Sequence, residues 1–200
     1  MVNRMEPIAA VILAAGGSTR MGQPKLLLTW KGETLIRHTA RIALDASLDP
    51  VVAVTGAYAE EVNAALTDVP VKTVHNLDWQ SGQSTSVAAG IRALPAETRA
   101  VFFLLGDQPF ISVELLQAMT AVFERDRPLI LAPFVGDRRA NPALFDRSLF
   151  DRLTSLKGDA GARSIFHEYP PVPFPWADGR ILFDVDTPED YRKLSELDRD

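Results

Sequence analysis

Residues Ile8 to Ala15 form an unbroken apolar run that ends abruptly at Gly16-Gly17. A continuous rather than alternating run predicts a parallel strand buried on both faces. The glycines that follow carry no Cβ, so a bound group can approach the main chain directly. Successive N–H groups in such a turn make a concavity suited to anions. Arg20 and Lys25 add positive charge beside it, and the simplest ligand for that combination is a polyphosphate. The spacing is not that of a P-loop, which needs Lys and Ser/Thr directly after its second glycine; here Lys25 lies three residues beyond Gly22. It is not G-x-G-x-x-G either. A plain strand-to-helix connection is the competing reading of the same turn.

Downstream, short apolar strands alternate with amphipathic helices. Strands are expected at 51–55, 71–74 and 100–105, the last being the most apolar. Helices are expected after Thr34 as N-cap, over 57–66, over 84–94, and after Ser112 as N-cap. This alternation predicts an α/β fold, a single-domain, Rossmann-like, doubly wound and mostly parallel sheet. In such sheets ligands sit at the carboxyl ends of the strands. Both the Gly16 turn and the Gly106-Asp107 turn fall at that edge. From residue 129 the pattern loosens. Strands are expected at 129–132 and 144–145, with a loop at 135–142 between them. Short helices follow near Leu149 and after residue 156. The stretch 169–175 must be extended, because its prolines deny it both helix and central-strand pairing. A last strand is expected at 181–185. A final helix should start at Thr187, with Pro188 at its first position and acids in its first turn.

Length and charge narrow the function classes. Two hundred residues fit one domain, 1–200, with its core over 8–194. A net charge of −5 argues against broad binding to nucleic acid or to an anionic membrane, and permits a local basic patch around Arg20, Lys25 and Lys31. The chain has no cysteine, hence no disulfide, thiolate metal site or cysteine nucleophile. No apolar run approaches membrane-spanning length and no signal peptide is evident, so the cytoplasm is the expected location.

Asp107 follows the most apolar strand. Between Gly106 and Pro109 an acid can serve simply as a turn former, or it can be a hard oxygen ligand for Mg²⁺, which is typically held by one or two carboxylates plus substrate phosphates. Asp184 and Asp186 lie at the end of the expected last strand, spaced to share a face, so that one of them could reach Asp107. Their alternative roles are a surface acid and a helix cap. Two cations beside a glycine turn suit a leaving pyrophosphate, and phosphoryl or nucleotidyl transfer needs positioning and charge neutralisation more than a protein nucleophile. The three histidines, His38, His75 and His167, are not at zinc-ligand spacing, and there is no G-x-S-x-G motif.

Several ordered segments together resemble the MobA-like nucleotidyltransferases. The first is Leu13-Ala14-Ala15-Gly16-x-Ser18-x-Arg20-Met21-Gly22-x-x-Lys25. It is followed by Asn76-x-x-Trp79-x-x-Gly82-Gln83-Ser84-Thr85-Ser86, then Gly106-Asp107-Gln108-Pro109, then Asn141-Pro142-x-Leu144-Phe145, then Gly158-Asp159-x-Gly161-Ala162-Arg163. Asp184-x-Asp186-Thr187-Pro188-Glu189-Asp190 closes the match. The resemblance is greatest to the molybdenum cofactor cytidylyltransferases, on a fold of the nucleotide-diphospho-sugar transferase type. It implies that the terminal phosphate of molybdopterin, with or without molybdenum, attacks the α-phosphate of CTP, and that pyrophosphate leaves.

By the same resemblance Lys25, Arg20 and Asp107 are catalytic. The nucleotide is bound by Leu13, Ala14, Ala15, Gly16, Gly17, Arg20, Lys25, Gly82, Gln83, Ser84 and Ser86. Asp107 and Asp186 hold Mg²⁺, while Asn141, Asp159 and Arg163 meet the acceptor. A molybdoenzyme or its chaperone is the implied recipient. Leu-Ala-Ala-Gly and Gly-x-Ser-Thr-Ser go with cytosine in this family. Val87 and Ala140 depart from its usual residues, the latter in the substrate loop. GTP as donor, a sugar phosphate or other phosphorylated acceptor, and a non-catalytic cofactor carrier are the alternatives.

Overall fold

The structure, a computed structural model, describes residues 6–197. Strand β1 is Ile8–Ala14; a small hairpin, β2 (Thr29–Trp30) and β3 (Glu33–Thr34), leads into α1 (Leu35–Asp45). There follow β4 (Val51–Thr55), α2 (Ala59–Ala65), β5 (Lys72–His75), α3 (Gln83–Arg92), β6 (Ala100–Leu105) and α4 (Val113–Asp126). The second half holds β7 (Ile130–Val135), β8 (Arg138–Arg139), β9 (Ala143–Asp146), α5 (Phe150–Thr154), β10 (Val172–Pro175) and α6 (Pro188–Leu197).

The main sheet runs β10-β7-β9-β6-β1-β4-β5, with β8 paired to β7. Along that path only β9 is antiparallel to its neighbours, so the sheet is mixed and mostly parallel. β1 lies between β4 and β6, with Ile12 opposite both Ala53 and Leu104. Successive side chains of a strand point to opposite faces, and the burial follows that rule. Ala10, Ile12, Ala53, Phe102 and Leu104 pack with Ile36 of α1 and Leu115, Met119 and Phe123 of α4. Val11, Val52, Val54, Val101 and Phe103 pack on the other face with Val87 and Ile91 of α3 and Leu153 of α5. Two helical layers thus explain why the strands read as continuous apolar runs. Among the described residues no helix is long and apolar enough to cross a membrane.

Ser112 caps α4 as expected, its hydroxyl accepting from the Leu115 N–H at 3.2 Å. Thr34 stands before α1 in extended backbone, but its side chain makes no capping bond. The proline-rich stretch joins the sheet as the edge strand β10, parallel to β7, the position where missing N–H donors are tolerated. Strand β7 runs on to Val135, three residues beyond the expected 129–132.

The expected strand at 181–185 does not form. Asp178 accepts from the Arg180 N–H at 2.9 Å and starts a 3₁₀ turn, Gly179–Leu182. The segment after it is extended and joins no ladder. Its apolar residues are buried all the same: Ile181 under the sheet, and Val185 in a third cluster with Met21, Trp30, Leu35 and Leu194. The apolar pattern reported burial there, not strand pairing.

Helix α3 lies close to β1 because position 90 has no side chain. A Cβ on Gly90 would stand 2.4 Å from Cγ1 of Val11 and 3.3 Å from Val54. Both valines belong to central strands and are stiff at χ1. Alanine would gain roughly 1 kcal/mol of helix propensity against an overpacking cost of about 1–3 kcal/mol. Gly90→Ala is therefore expected to lower stability by up to about 2 kcal/mol, read from the midpoint of urea unfolding at unchanged slope.

Candidate active site

At the end of β1 the chain turns through Ala15, Gly16 and Gly17. Ser18 adopts a left-handed conformation with φ of 50°. Its carbonyl accepts the N–H groups of Met21 and Gly22 at 3.0 and 3.2 Å, and its hydroxyl accepts that of Lys25 at 3.2 Å. Tyr58 steadies the same turn by donating its hydroxyl to the Gly17 carbonyl at 3.2 Å. The loop is thereby closed on itself, and it delivers Lys25 at the head of a 3₁₀ turn, Lys25–Leu27, anchored by buried Leu26.

The Lys25 ammonium donates to both Asp107, just past the end of β6, and Asp186, at 2.7 Å to Asp186 Oδ1. Arg20 pairs with the other oxygen of Asp186 at 2.9 Å. Burial alone would lower the Lys25 pKa, but the charge of Asp107 and the bonds to both carboxylates outweigh it and hold the ammonium above its usual value. The second oxygen of Asp107, Oδ1, is buried and has no hydrogen-bond partner among the described residues. Asp184 accepts from Gln108 Nε2 at 2.5 Å; burial, reinforced by the negative charges of Asp107 and Asp186, raises its pKa. Asp186 is fixed by the start of α6. There Thr187 accepts the Asp190 N–H at 3.2 Å, and the Asp190 carboxylate accepts from the Thr187 N–H and hydroxyl at 2.9 and 2.7 Å, a reciprocal cap. The Val185 N–H donates to the Asp107 carbonyl at 2.9 Å and ties the two acidic segments together.

These groups form one wall of a cleft of about 610 Å³. The opposite wall starts at Gly82, with φ of 110°, at the N-terminus of α3. A Cβ on Gly82 would lie 2.3 Å from the Gly158 carbonyl, so the loop carrying Asp159 and Arg163 packs directly on α3. The Ser84 N–H donates to that carbonyl at 3.2 Å. Beyond it, Phe145 and Phe166 stack with ring centres 5.9 Å apart, and Arg139 lies 4.5 Å over Phe166. Burial and the neighbouring charge of Arg163 lower the Arg139 pKa. Among the described residues no carboxylate pairs with either arginine.

Of the residues singled out from sequence, Leu13, Ala15, Gly16, Gly17, Arg20 and Lys25 line the cleft, and Gly82, Gln83 and Ser86 line it from α3. Asp107, Asp186, Asn141, Asp159 and Arg163 line it too, together with Asp184. Two residues do not. Ala14 points into the core, and Ser84 is buried, its backbone engaged by Gly158. Of the aromatic part of the wall, Trp79 and Phe145 stand in the matching segments without an assigned role, whereas Phe103 and Phe166 are not marked by the sequence. In the sequence an aromatic that faces a cleft looks the same as one that faces the core. Arg139 was legible only as a neighbour of Asn141-Pro142.

A doubly wound sheet, with a cationic glycine turn facing Asp107 at a strand end and Asp186 on a segment beside the sheet, is the architecture of a nucleotidyltransferase. Residues 10–172 match the MobA-like NTP transferase domain, and the chain belongs to that family. It is 33% identical to the purine catabolism protein PucB of Bacillus subtilis (strain 168) over 92% of this chain and 94% of that protein. It is also 33% identical to nicotine blue oxidoreductase of Paenarthrobacter nicotinovorans, over 82% of this chain and 83% of that one. Identity to the molybdenum cofactor cytidylyltransferase of Escherichia coli (strain K12) is 26% over 96% of this chain and 97% of that enzyme. In structure it is similar to the manganese complex of Rv0371c from Mycobacterium tuberculosis H37Rv, with a TM-score of 0.82 at 28% identity, covering 95% of this chain and 98% of that one.

The two walls differ in tolerance to an added methyl group. Nothing lies within 4 Å of a Cβ placed on Gly16, whereas one on Gly82 meets backbone. Gly82→Ala is expected to cost about 1–3 kcal/mol through overpacking and a strained φ, a fall of several degrees in melting temperature. Gly16→Ala should leave the melting temperature within about 1–2 °C. Thermal unfolding of the two variants side by side checks this.

Proposed function

We propose that this protein transfers CMP from CTP to the terminal phosphate of molybdopterin or the molybdenum cofactor, with Mg²⁺. The observation that carries the reading is the convergence of Asp107 and Asp186 on one ammonium beside the glycine turn. An acceptor phosphate oxygen attacks the α-phosphorus, the bond to the bridging oxygen of the β-phosphate breaks, and pyrophosphate leaves with the negative charge. The turn from Leu13 to Gly17 presents its backbone to the triphosphate. Arg20 and Lys25 neutralise the charge that builds up on the departing group. Gly82, Gln83 and Ser86, at the N-terminus of α3, lie where they would meet the nucleotide. The cytosine assignment is supported by the Leu13-Ala14-Ala15-Gly16 and Gly82 to Ser86 segments and by the likeness to the Escherichia coli enzyme.

The donor set suits a hard divalent cation. Two carboxylates already share one cation, and Asp107 Oδ1 is buried without a partner; Mg²⁺ is usually held by one or two carboxylates plus substrate phosphates. Among the described residues no group of three or more His, Cys, Asp or Glu is arranged to hold a metal alone, which agrees with a cation that arrives with nucleotide. Asp107 and Asp186 would hold it, and the ion would supply charge neutralisation at the phosphates.

Arg163, Asn141 and Asp159 would meet the acceptor, with Arg139 and Phe166 alongside. Two arginines that pair with no carboxylate among the described residues favour an anionic acceptor. A second reading keeps the chemistry and changes the acceptor to another phosphorylated small molecule, since the two relatives at 33% identity carry names outside cofactor synthesis. A molybdoenzyme or its chaperone would receive the product under the first reading.

With Mg²⁺ and molybdopterin, CTP is expected to release pyrophosphate at least tenfold faster than GTP. Pyrophosphate from GTP alone would reverse the base assignment, and activity only with other acceptors in a panel would select the second reading. Asp107→Asn is expected to lower turnover by at least a hundredfold with circular dichroism unchanged. A carrier that does no chemistry would show no pyrophosphate release before or after that substitution.

A further inference from the structure

In this structure the position between Asp107 and Asp186 belongs to a side chain. Lys25 Nζ contacts an oxygen of each carboxylate, at 2.7 Å to Asp186 Oδ1. Arg20 takes the second oxygen of Asp186 at 2.9 Å. Two cations thus face these two carboxylates, with Asp184, held by Gln108, as a third acid beside them. A divalent cation held by the same acids would need oxygens that Lys25 now occupies, and would do so against the repulsion of an adjacent ammonium.

We infer that Lys25 stands in for the metal in the nucleotide-free protein, so that a divalent cation gains Asp107 and Asp186 only when a triphosphate draws Lys25 away. This rests on the metal-dependent reading above and adds an order of events to it. Three features support it. The Lys25 backbone is held by its N–H bond to Ser18 Oγ and by buried Leu26, while its four-carbon stem remains free to swing. Gly16, Gly17 and Lys25 line the same cleft, so phosphates on the turn lie near the ammonium. Asp107 Oδ1 has no partner among the described residues, so Lys25 satisfies only half of that carboxylate and leaves it capable of accepting an ion. A triphosphate brings the negative charge that lets lysine and metal coexist; a metal ion alone does not.

The test is direct Mn²⁺ binding, followed by electron paramagnetic resonance of the free ion, on the full chain without nucleotide. Lys25→Met is expected to bind Mn²⁺ at least tenfold more tightly than the wild type. Lys25→Arg, which keeps a cation, should bind it as weakly as the wild type. Adding a non-hydrolysable CTP analogue should close or reverse the gap between the Met variant and the wild type. If circular dichroism shows the Met variant unfolded, Lys25→Gln takes its place under the same criteria. Should the neutral variant bind Mn²⁺ no better than the wild type, while the wild type binds it with the analogue, this inference alone falls. If no protein binds Mn²⁺ with or without the analogue, the metal-dependent reading falls and takes this inference with it.

Discussion

Three charged side chains drawn from three distant parts of the chain meet at one point: Lys25, Asp107 and Asp186. Everything else about the cleft is arranged to make that meeting possible. Removing one partner from a partly buried ion cluster strands a charge that has already lost part of its hydration, which can cost more than the cluster as a whole contributes. The cluster is therefore poor evidence for a stabilising device and better evidence for a site whose charges are kept ready. Its surroundings agree: Lys25 is mostly shielded from solvent, whereas Arg20 is largely exposed, so one cation is built in and the other sits at the rim.

The sheet supplies the rigidity this requires. β1 and β6 are adjacent and parallel, so the glycine turn and Asp107 leave the sheet side by side from the same edge. Asp186 arrives differently, on a segment outside the sheet that is tied to Asp107 by one backbone hydrogen bond and held by the reciprocal cap at the start of α6. The opposing wall is set by backbone contact, Gly82 against Gly158, which leaves no room for the loop of Asp159 and Arg163 to settle lower. One wall is positioned by charge, the other by the absence of side chains.

Much of this was legible in the residues. Continuous apolar runs at 8–15 and 100–105 announced strands buried on both faces, and the glycines and Asp107 at their ends marked the working edge. Two failures have a physical cause. The segment at 181–185 is apolar like a strand, but Asp178 starts a tight turn there and the apolar residues bury against other partners. Ser84 sits inside a matching motif, yet its N–H is taken by Gly158, and the Ala14 side chain faces the core so that only its backbone stays on the turn; a motif gives order along the chain and not the direction of each side chain. Phe103 and Phe166 of the aromatic wall were invisible for the same reason, since burial against protein and burial against a ligand leave the same hydrophobic residue.

The strands of the sheet all lie at or before Pro175, whereas the second carboxylate of the cluster comes eleven residues later. A fragment stopped between those points would keep each β-strand and one acid of the pair, together with both basic residues of the turn. It would also lose Ile181, Val185 and Leu194 from the buried clusters, so the last stretch of chain supplies packing and the second acid together.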